Sequence, residues 1–349
     1  MIASRTARAL RACGTPPSRQ RGIAMLVAIL LVALGTIVAA AVAYESAMTA
    51  RRGSATLSFE ESLLVAEGAE ALAAYGLKTV MQQLGSSGGR GAGAGAGAGG
   101  PIVSPTQPWA EPYGPVEVVP GVTLEASLED LQGRFNLNWL VQISGPDTGK
   151  PDPVMVDSFK YLLHLAGVDP KWADKVVDWI DKDDQAQNEG AEDGTYLGQT
   201  PPYRAANQFI TSTSELLALP GFGRENYMKI APYIVALPPD SKLNICSAKA
   251  IVLDSLNPGH QDYTSDAAGF EKNRAAAPPN TCFPDANAFK APFDQQRYGQ
   301  ISGKVVTTSS YFRLSSLVTI GTTEFNLYSL LFMNPQYVVF PIQRSFSPD

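Results

Sequence analysis

Six carboxylates fall within thirteen positions of this 349-residue chain: Asp181, Asp183, Asp184, Glu189, Glu192 and Asp193. Carboxylates so dense in a loop repel one another, and Ca2+, which accepts about six to eight oxygens in irregular geometry, relieves that repulsion. From Asp181 to Glu192 the oxygens stand at positions one, three, nine and twelve, a calcium-loop spacing, but Ala186 occupies the sixth place where that turn needs glycine. An EF-hand is therefore not expected. An irregular cation site and a solvated acidic loop are the two open readings.

Other chemistry is sparse. His164 and His260 are the only histidines, which removes the commonest general base and zinc ligand from most of the chain. His164 follows an apolar helix face and reads as a packed or half-exposed side chain. Gly95, Gly97 and Gly100 spell G-x-G-x-x-G inside a Gly/Ala repeat, after a helix pattern and before prolines, so no dinucleotide loop is expected. The segment from Ser144 to Lys150 is one residue short of a P-loop, with Pro151 where a metal-binding hydroxyl belongs. No nucleophile elbow or paired zinc motif occurs, and no catalysis is expected.

Leu217 to Gly223, LALPGFG, fits a helix-hairpin-helix, whose glycine amides can hold a DNA phosphate. A membrane-anchored DNA receptor is thus the rival function, and a calcium-dependent surface enzyme a third. Only Arg224 and Lys229 follow the hairpin closely, however, and the charge is adverse. Formal net charge is -6, but five arginines and no acid precede residue 23, so the remainder carries 22 basic against 33 acidic residues. Such a body repels phosphate, and close helix packing is the simpler role for the hairpin, with no nucleic-acid partner.

The elements that must position these residues begin with Ile23 to Ala43, 21 residues without a charge. As a helix they span roughly 31 Å, a bilayer's hydrocarbon core. Arg5, Arg8, Arg11, Arg19 and Arg21 upstream outnumber Arg51 and Arg52 downstream, placing the N-terminus in the cytoplasm and the body outside. A cleaved signal with small residues at Ala39, Ala41 and Ala43 and a plain uncleaved anchor are the alternatives; the apolar run exceeds the usual signal core. An outside body suits a disulfide between Cys246 and Cys282, with Cys13 left in the leader. No proline interrupts Tyr44 to Leu84, and Leu57, Leu64, Glu67/Gly68, Ala71 and Leu72 keep helical spacing, predicting one helix from about 23 to 84 with these residues on its apolar face.

This order of basic leader, glycine, membrane-length helix and amphipathic continuation resembles type IV pilins and type II secretion pseudopilins. The resemblance implies that a prepilin peptidase cuts between Gly22 and Ile23 and that the new N-terminus is methylated. Most pilins have glutamate five residues after the cut, where this chain has Val27. That departure resembles the general secretion pathway protein K family of minor pseudopilins. Burying a carboxylate in hydrocarbon is costly unless it is paired, and a subunit with none above it, at a filament tip, has no need of one. Asp130, Gln132 and the run Gly133 to Asn138 match a second block of that family, and Asn244 to Ala248 resembles its N-x-N-T-A segment with Cys246 in place of the second asparagine.

The resemblance implies an α+β fold. A pilin-like N-terminal helix, membrane-spanning in its first part, packs on a small antiparallel sheet, and an all-α helix-hairpin-helix/SAM-like domain is inserted. The sequence divides accordingly into a leader (1–22), a transmembrane part (23–43), a periplasmic continuation (44–84), a Gly/Ala-rich loop (85–110), a pilin-like domain (111–143 and 244–349) and an inserted helical domain (144–243). Strands are predicted in VEVV, TLEASL, YFRLSSLVTI, EFNLYSLLFM and YVVFPIQRSF. Helix starts are predicted at Asp152-Pro153 and Asp169-Pro170, and a capping box at Ser212 with Glu215. The resemblance further implies minor pseudopilins I and J, minor pseudopilin H and major pseudopilin G as partners, with prepilin peptidase and inner membrane lipid. It also implies calcium in the helical domain, an inner-membrane anchor with a periplasmic body, and a non-enzymatic role at the pseudopilus tip.

Overall fold

A computed structural model describes residues 21–86, 101–146, 148–258, 266–274, 282–284 and 286–348. The leader up to residue 20, the Gly/Ala repeat at 87–100 and His260 lie outside the described residues. The described residues fall into two units, divided between Glu60 and Glu61.

Helix α1 comprises Arg21–Ser86. Its first part is apolar on every side, with Ile23, Leu26, Leu30, Leu34 and Ile37 all more than 60% exposed, and it is long and apolar enough to cross a membrane. In the second unit, α1 lies on a five-stranded antiparallel sheet of β1 (Tyr113–Val119), β2 (Val122–Asp130), β7 (Tyr311–Ile320), β8 (Thr323–Met333) and β9 (Val339–Ser345), in order β1-β2-β7-β8-β9. Strict alternation along β7 buries Phe312, Leu314, Ser316 and Val318 beneath the helix, the period-two signature of a half-buried strand.

The helix meets the sheet through a different face from that of Leu64, Ala71 and Leu72. Ala66, Ala69, Leu77 and Met81 are buried in the core with Leu124, Phe312, Leu327 and Leu331, whereas Leu64 and Leu72 point to solvent and Ala71 is exposed. Alanines let the helix axis approach the sheet closely, so the large leucines are left outside. The sequence carries two apolar stripes, and the bulkier one is unpartnered in the folded chain.

β2 pairs directly with β7, so everything from 131 to 310 is inserted between neighbouring strands. The insertion holds α2 (Pro153–Leu165), α3 (Trp172–Ile180), α4 (Asp193–Tyr196), α5 (Gly223–Ile230), α6 (Ala250–Ser255), α7 (Ala267–Asn273), α8 (Ala286–Lys290) and α9 (Gln295–Ile301). Two short parallel ladders lie among them, β3 (Phe135–Asn136) with β4 (Ile234–Val235) and β5 (Leu243–Asn244) with β6 (Val305–Val306). One core from Phe135 to Val305 draws on residues on both sides of 144 and 243.

The helix signals act unequally. Asp152 caps α2 through the amides of Val154 and Met155, and Gly167 ends that turn at φ +72. Asp169 does not cap α3: it accepts from Lys171 N in a preceding turn, and the helix starts at Trp172. The Ser212–Glu215 capping box is present but opens a 3-10 turn, Thr213–Ala218, which ends at the hairpin.

The block from Asp130 to Asn138 ties the insertion together, because its buried polar side chains bond distant backbone. Asn138 Nδ2 donates to Ile210 O and Leu237 O at 2.9 and 2.8 Å. Gln132 Nε2 donates to Lys242 O, while its Oε1 accepts from Ser310 N. Asn244 Nδ2 lies 2.9 Å from each of Val103 O, Asp130 Oδ2 and Ser309 Oγ. Buried amides satisfied in this way specify one arrangement of segments that apolar contacts alone would leave loose.

Candidate functional site

The acidic loop is organised from the end of α3. Asp178, fully buried, accepts from Gln187 N at 3.1 Å and from Ala191 N at 2.8 Å and so closes the loop on the helix. Gly190 is required there, since a Cβ would meet Asp178 Oδ2 at 1.9 Å. Asp181 follows at the helix C-terminus and is wholly buried. Glu192, half-buried, precedes α4.

Asp181, Asp183 and Glu192 each place a carboxylate oxygen within 4.8 Å of the others. Both oxygens of Asp181, both of Glu192 and Oδ1 of Asn207 are buried without a hydrogen-bond partner. Buried polar atoms are nearly always paired, so the orphaned oxygens of Asp181 and Glu192, converging with Asp183, have the donor set of a hard-cation site. Burial, with the neighbouring carboxylates Asp183 and Asp178, pushes Asp181 up to about 7. Burial and the charges of Asp178, Asp181, Asp184 and Asp183 likewise bring Glu192 to about 7, and burial brings Asp178 to about 6.

Of the six acids singled out in the sequence, Asp181, Asp183 and Glu192 are thus brought together. Asp184 accepts from Asn207 Nδ2 at 3.5 Å, at the margin of a hydrogen bond. Glu189 is exposed outside the cluster. Asp193 is turned away, holding Arg204 Nη1 at 2.7 Å and Ala205 N at 3.0 Å. Asn207, fifteen positions beyond Glu192, has a left-handed backbone, φ +46, and its N donates to Trp179 O, which carries its side chain beside Asp184.

The hairpin serves packing. Gly221 and Gly223 take φ of +84 and +71, and Phe222 between them stacks edge-on against Trp172 at 5.2 Å. Lys229 is held by Glu225 at 2.8 Å, which leaves Arg224 to face a phosphate near the turn. His164 is on the exposed side of α2.

Type II secretion system protein K of Pseudomonas aeruginosa is 31% identical to this chain over 322 residues, covering 89% of this chain and 88% of that protein. This chain belongs to the type II secretion system protein K family. The protein K of Aeromonas hydrophila is 34% identical over 235 residues, 64% of this chain and 66% of its own length. The family described as type II secretion system (T2SS), protein K matches residues 133–239, which contain the acidic loop and the hairpin. In fold the chain is similar to one chain of the GspK-GspI-GspJ complex from the type 2 secretion system of enterotoxigenic Escherichia coli, with TM-score 0.69 and 23% identity, covering 85% of this chain and 100% of that one. As a protein K, the chain is a minor pseudopilin of the type II secretion system, with an N-terminal helix suited to anchoring in the inner membrane.

Two further features of this protein K were marked in the sequence. Cys246 and Cys282, both buried, form a disulfide with Cα atoms 4.6 Å apart. Arg274 Nη1 donates to Ala248 O at 2.6 Å just beyond it. Ile23 and Val27 stand in the bare first part of α1, 66% and 49% exposed.

Proposed function

We propose that this protein is cut by prepilin peptidase between Gly22 and Ile23, is methylated there, and joins minor pseudopilins I and J to initiate the periplasmic pseudopilus and occupy its tip, without enzymatic activity. The body lies in the periplasm and the first part of α1 in inner membrane lipid. Minor pseudopilin H and the major pseudopilin G follow below. Val27 supports the tip position, because no carboxylate in the membrane segment awaits a subunit above.

The observation that carries this reading is the bare ridge of α1. Leu64, Leu72 and Tyr75 are 68%, 48% and 68% exposed, and with Gly68 and Ala71 they line one helix face at three-to-four spacing. A large apolar stripe left in water marks a protein interface, and helices of similar chemistry in neighbouring subunits fit it. Ca2+ held by Asp181, Asp183 and Glu192 would tie the end of α3 to the start of α4 in one rigid face. The test is co-purification of the full-length chain with full-length I and J from detergent. Leu64→Glu/Leu72→Glu should abolish the complex while the thermal transition is kept; an intact complex would refute the interface.

A further inference from the structure

A cleft of about 360 Å³ opens where the segment after Pro101 crosses the end of β2, and Pro105, Leu128, Glu129, Arg134, Pro232 and Lys249 are on its wall. Gly133 lets it exist in this form: a Cβ there would meet the carbonyl oxygen of Ser247 at 2.8 Å, so the two backbones close the floor of the cleft only with glycine between them. The prolines make the walls stiff, and Leu128 makes part of them apolar.

Its charge is opposite to that of the chain. Lys249 Nζ makes one long bond, 3.4 Å, to Pro232 O and lies 5.2 Å over the Tyr233 ring; among the described residues no carboxylate pairs with it. Arg134 spends Nε and Nη2 on Glu129, and its Nη1 reaches Ala231 O at 3.4 Å. Glu129 is shared with Arg313 at 2.7 Å, and the two guanidinium groups hold its carboxyl below the usual range against the opposing effect of burial. Asp130 also borders the cleft, but its buried carboxylate is taken up, Oδ2 by Asn244 and Ser309 and Oδ1 by Gln132 N. Within the cleft Glu129 therefore faces two cations, Arg134 and Lys249, an excess of one positive charge in a chain whose net charge is -6.

Glu129 stays in the wall and would oppose a doubly charged phosphate, whereas a single carboxylate matches the excess. An apolar wall beside the cations suits a side chain carried on polypeptide. We propose that this cleft is the docking site for an aspartate or glutamate side chain on a polypeptide segment of a neighbouring pseudopilin subunit. The proposal rests on the reading of I and J as partners and names where one of them is held. Charge complementarity of this kind governs partner choice and association rate more than it adds bulk affinity.

The test measures binding of the full-length chain in detergent to co-purified full-length I and J. Lys249→Glu should weaken binding by roughly tenfold or more and flatten its salt dependence, and Lys249→Gln should weaken it less. Lys249 is exposed just ahead of α6, where a carboxylate suits a helix start, so the thermal transition should not move. Lys229→Glu, on α5, should leave binding unchanged. One acidic-to-lysine change in I or J should restore binding to Lys249→Glu and so identify the docked side chain. Parent-like binding by Lys249→Glu overturns the cleft as a docking site while leaving the partnership intact. Failure of the parent itself to bind I and J overturns the partnership and the docking proposal together.

Discussion

Arg344 of β9 closes on Glu70 of α1 with two hydrogen bonds, Nε to Oε1 at 2.8 Å and Nη2 to Oε2 at 2.6 Å. Ser329 of β8 adds a third to Oε1 at 2.5 Å, and Arg344 Nη1 reaches Glu67 at 2.8 Å. Glu70 is only 5% exposed. The last strand is thus fastened to the helix through a carboxylate that would be costly to bury unpaired.

Arg344→Ala should destabilise the full chain in detergent by roughly 2–4 kcal/mol, somewhat below the cost of breaking a fully buried pair because Arg344 is half-exposed. Adding Glu70→Gln should recover part of that loss, since the unpaired charge is gone and the Ser329 bond can remain. Urea unfolding of parent, single and double variants decides it; a double variant less stable than Arg344→Ala would show that the charge is not the cause.

Calcium affinity should divide the six sequence-marked acids. Glu192→Gln, Asp181→Asn and Asp183→Asn should each weaken binding by roughly tenfold or more, because each removes a charged oxygen from the site. Asp193→Asn should cost stability through Arg204 and Ala205 yet leave affinity within about threefold. Isothermal calorimetry of the four variants separates the two outcomes.

The same carboxylates set a pH dependence. Asp181 and Glu192 hold their protons to about 7 and Asp178 to about 6, from ordinary values of 3.8, 4.5 and 3.8, so the folded chain keeps protons that the unfolded chain has released. Stability falls with pH wherever the native state binds more protons. In chelator, the melting temperature should therefore be highest near the acid end and decline between about pH 4 and pH 7. Saturating Ca2+ should remove or reverse that slope, because the metal takes the place of the protons. An upward slope in chelator would contradict the arrangement.

Loss of the disulfide should be felt throughout the insertion. Cys246 and Cys282 are 36 positions apart, and releasing that loop costs about 4 kcal/mol in the chain-entropy estimate. Cys246→Ser and Cys282→Ser should destabilise equally. In native mature protein both thiols should resist alkylation until a reductant is added.

Processing should leave Ile23 as the first residue, and intact mass of the purified protein reads it directly. Gly22 replaced by a bulky residue should retain the arginine leader. A mature start at Val42 or Tyr44 would mean a signal-peptidase cut instead.

Much of the fold could be read locally. The apolar run at 23–43, the alternation in β7 and β8, and the Asp152 cap each depend on neighbours within a few residues, and each was legible for that reason. The capping box at Ser212 was legible too, but its helix type was not, because Pro220 and the hairpin glycines end the turn before an α-helix develops.

The amino-acid sequence by itself determined that a membrane-length helix runs into a body of strands and helices, since period, charge and composition act along the chain, while the resemblance to the K family rested on local motifs such as the Gly22–Ile23 junction and the Asp130–Asn138 block. Tertiary structure decided which of two apolar stripes on α1 meets the sheet, because close approach favours alanines over leucines. It also decided which acids converge. Asp181, Asp183 and Glu192 face one point while Asp193 turns to Arg204. Spacing counts residues along a loop, whereas a cation site is defined by where their oxygens end in space, and only the packed ends of α3 and α4 set that.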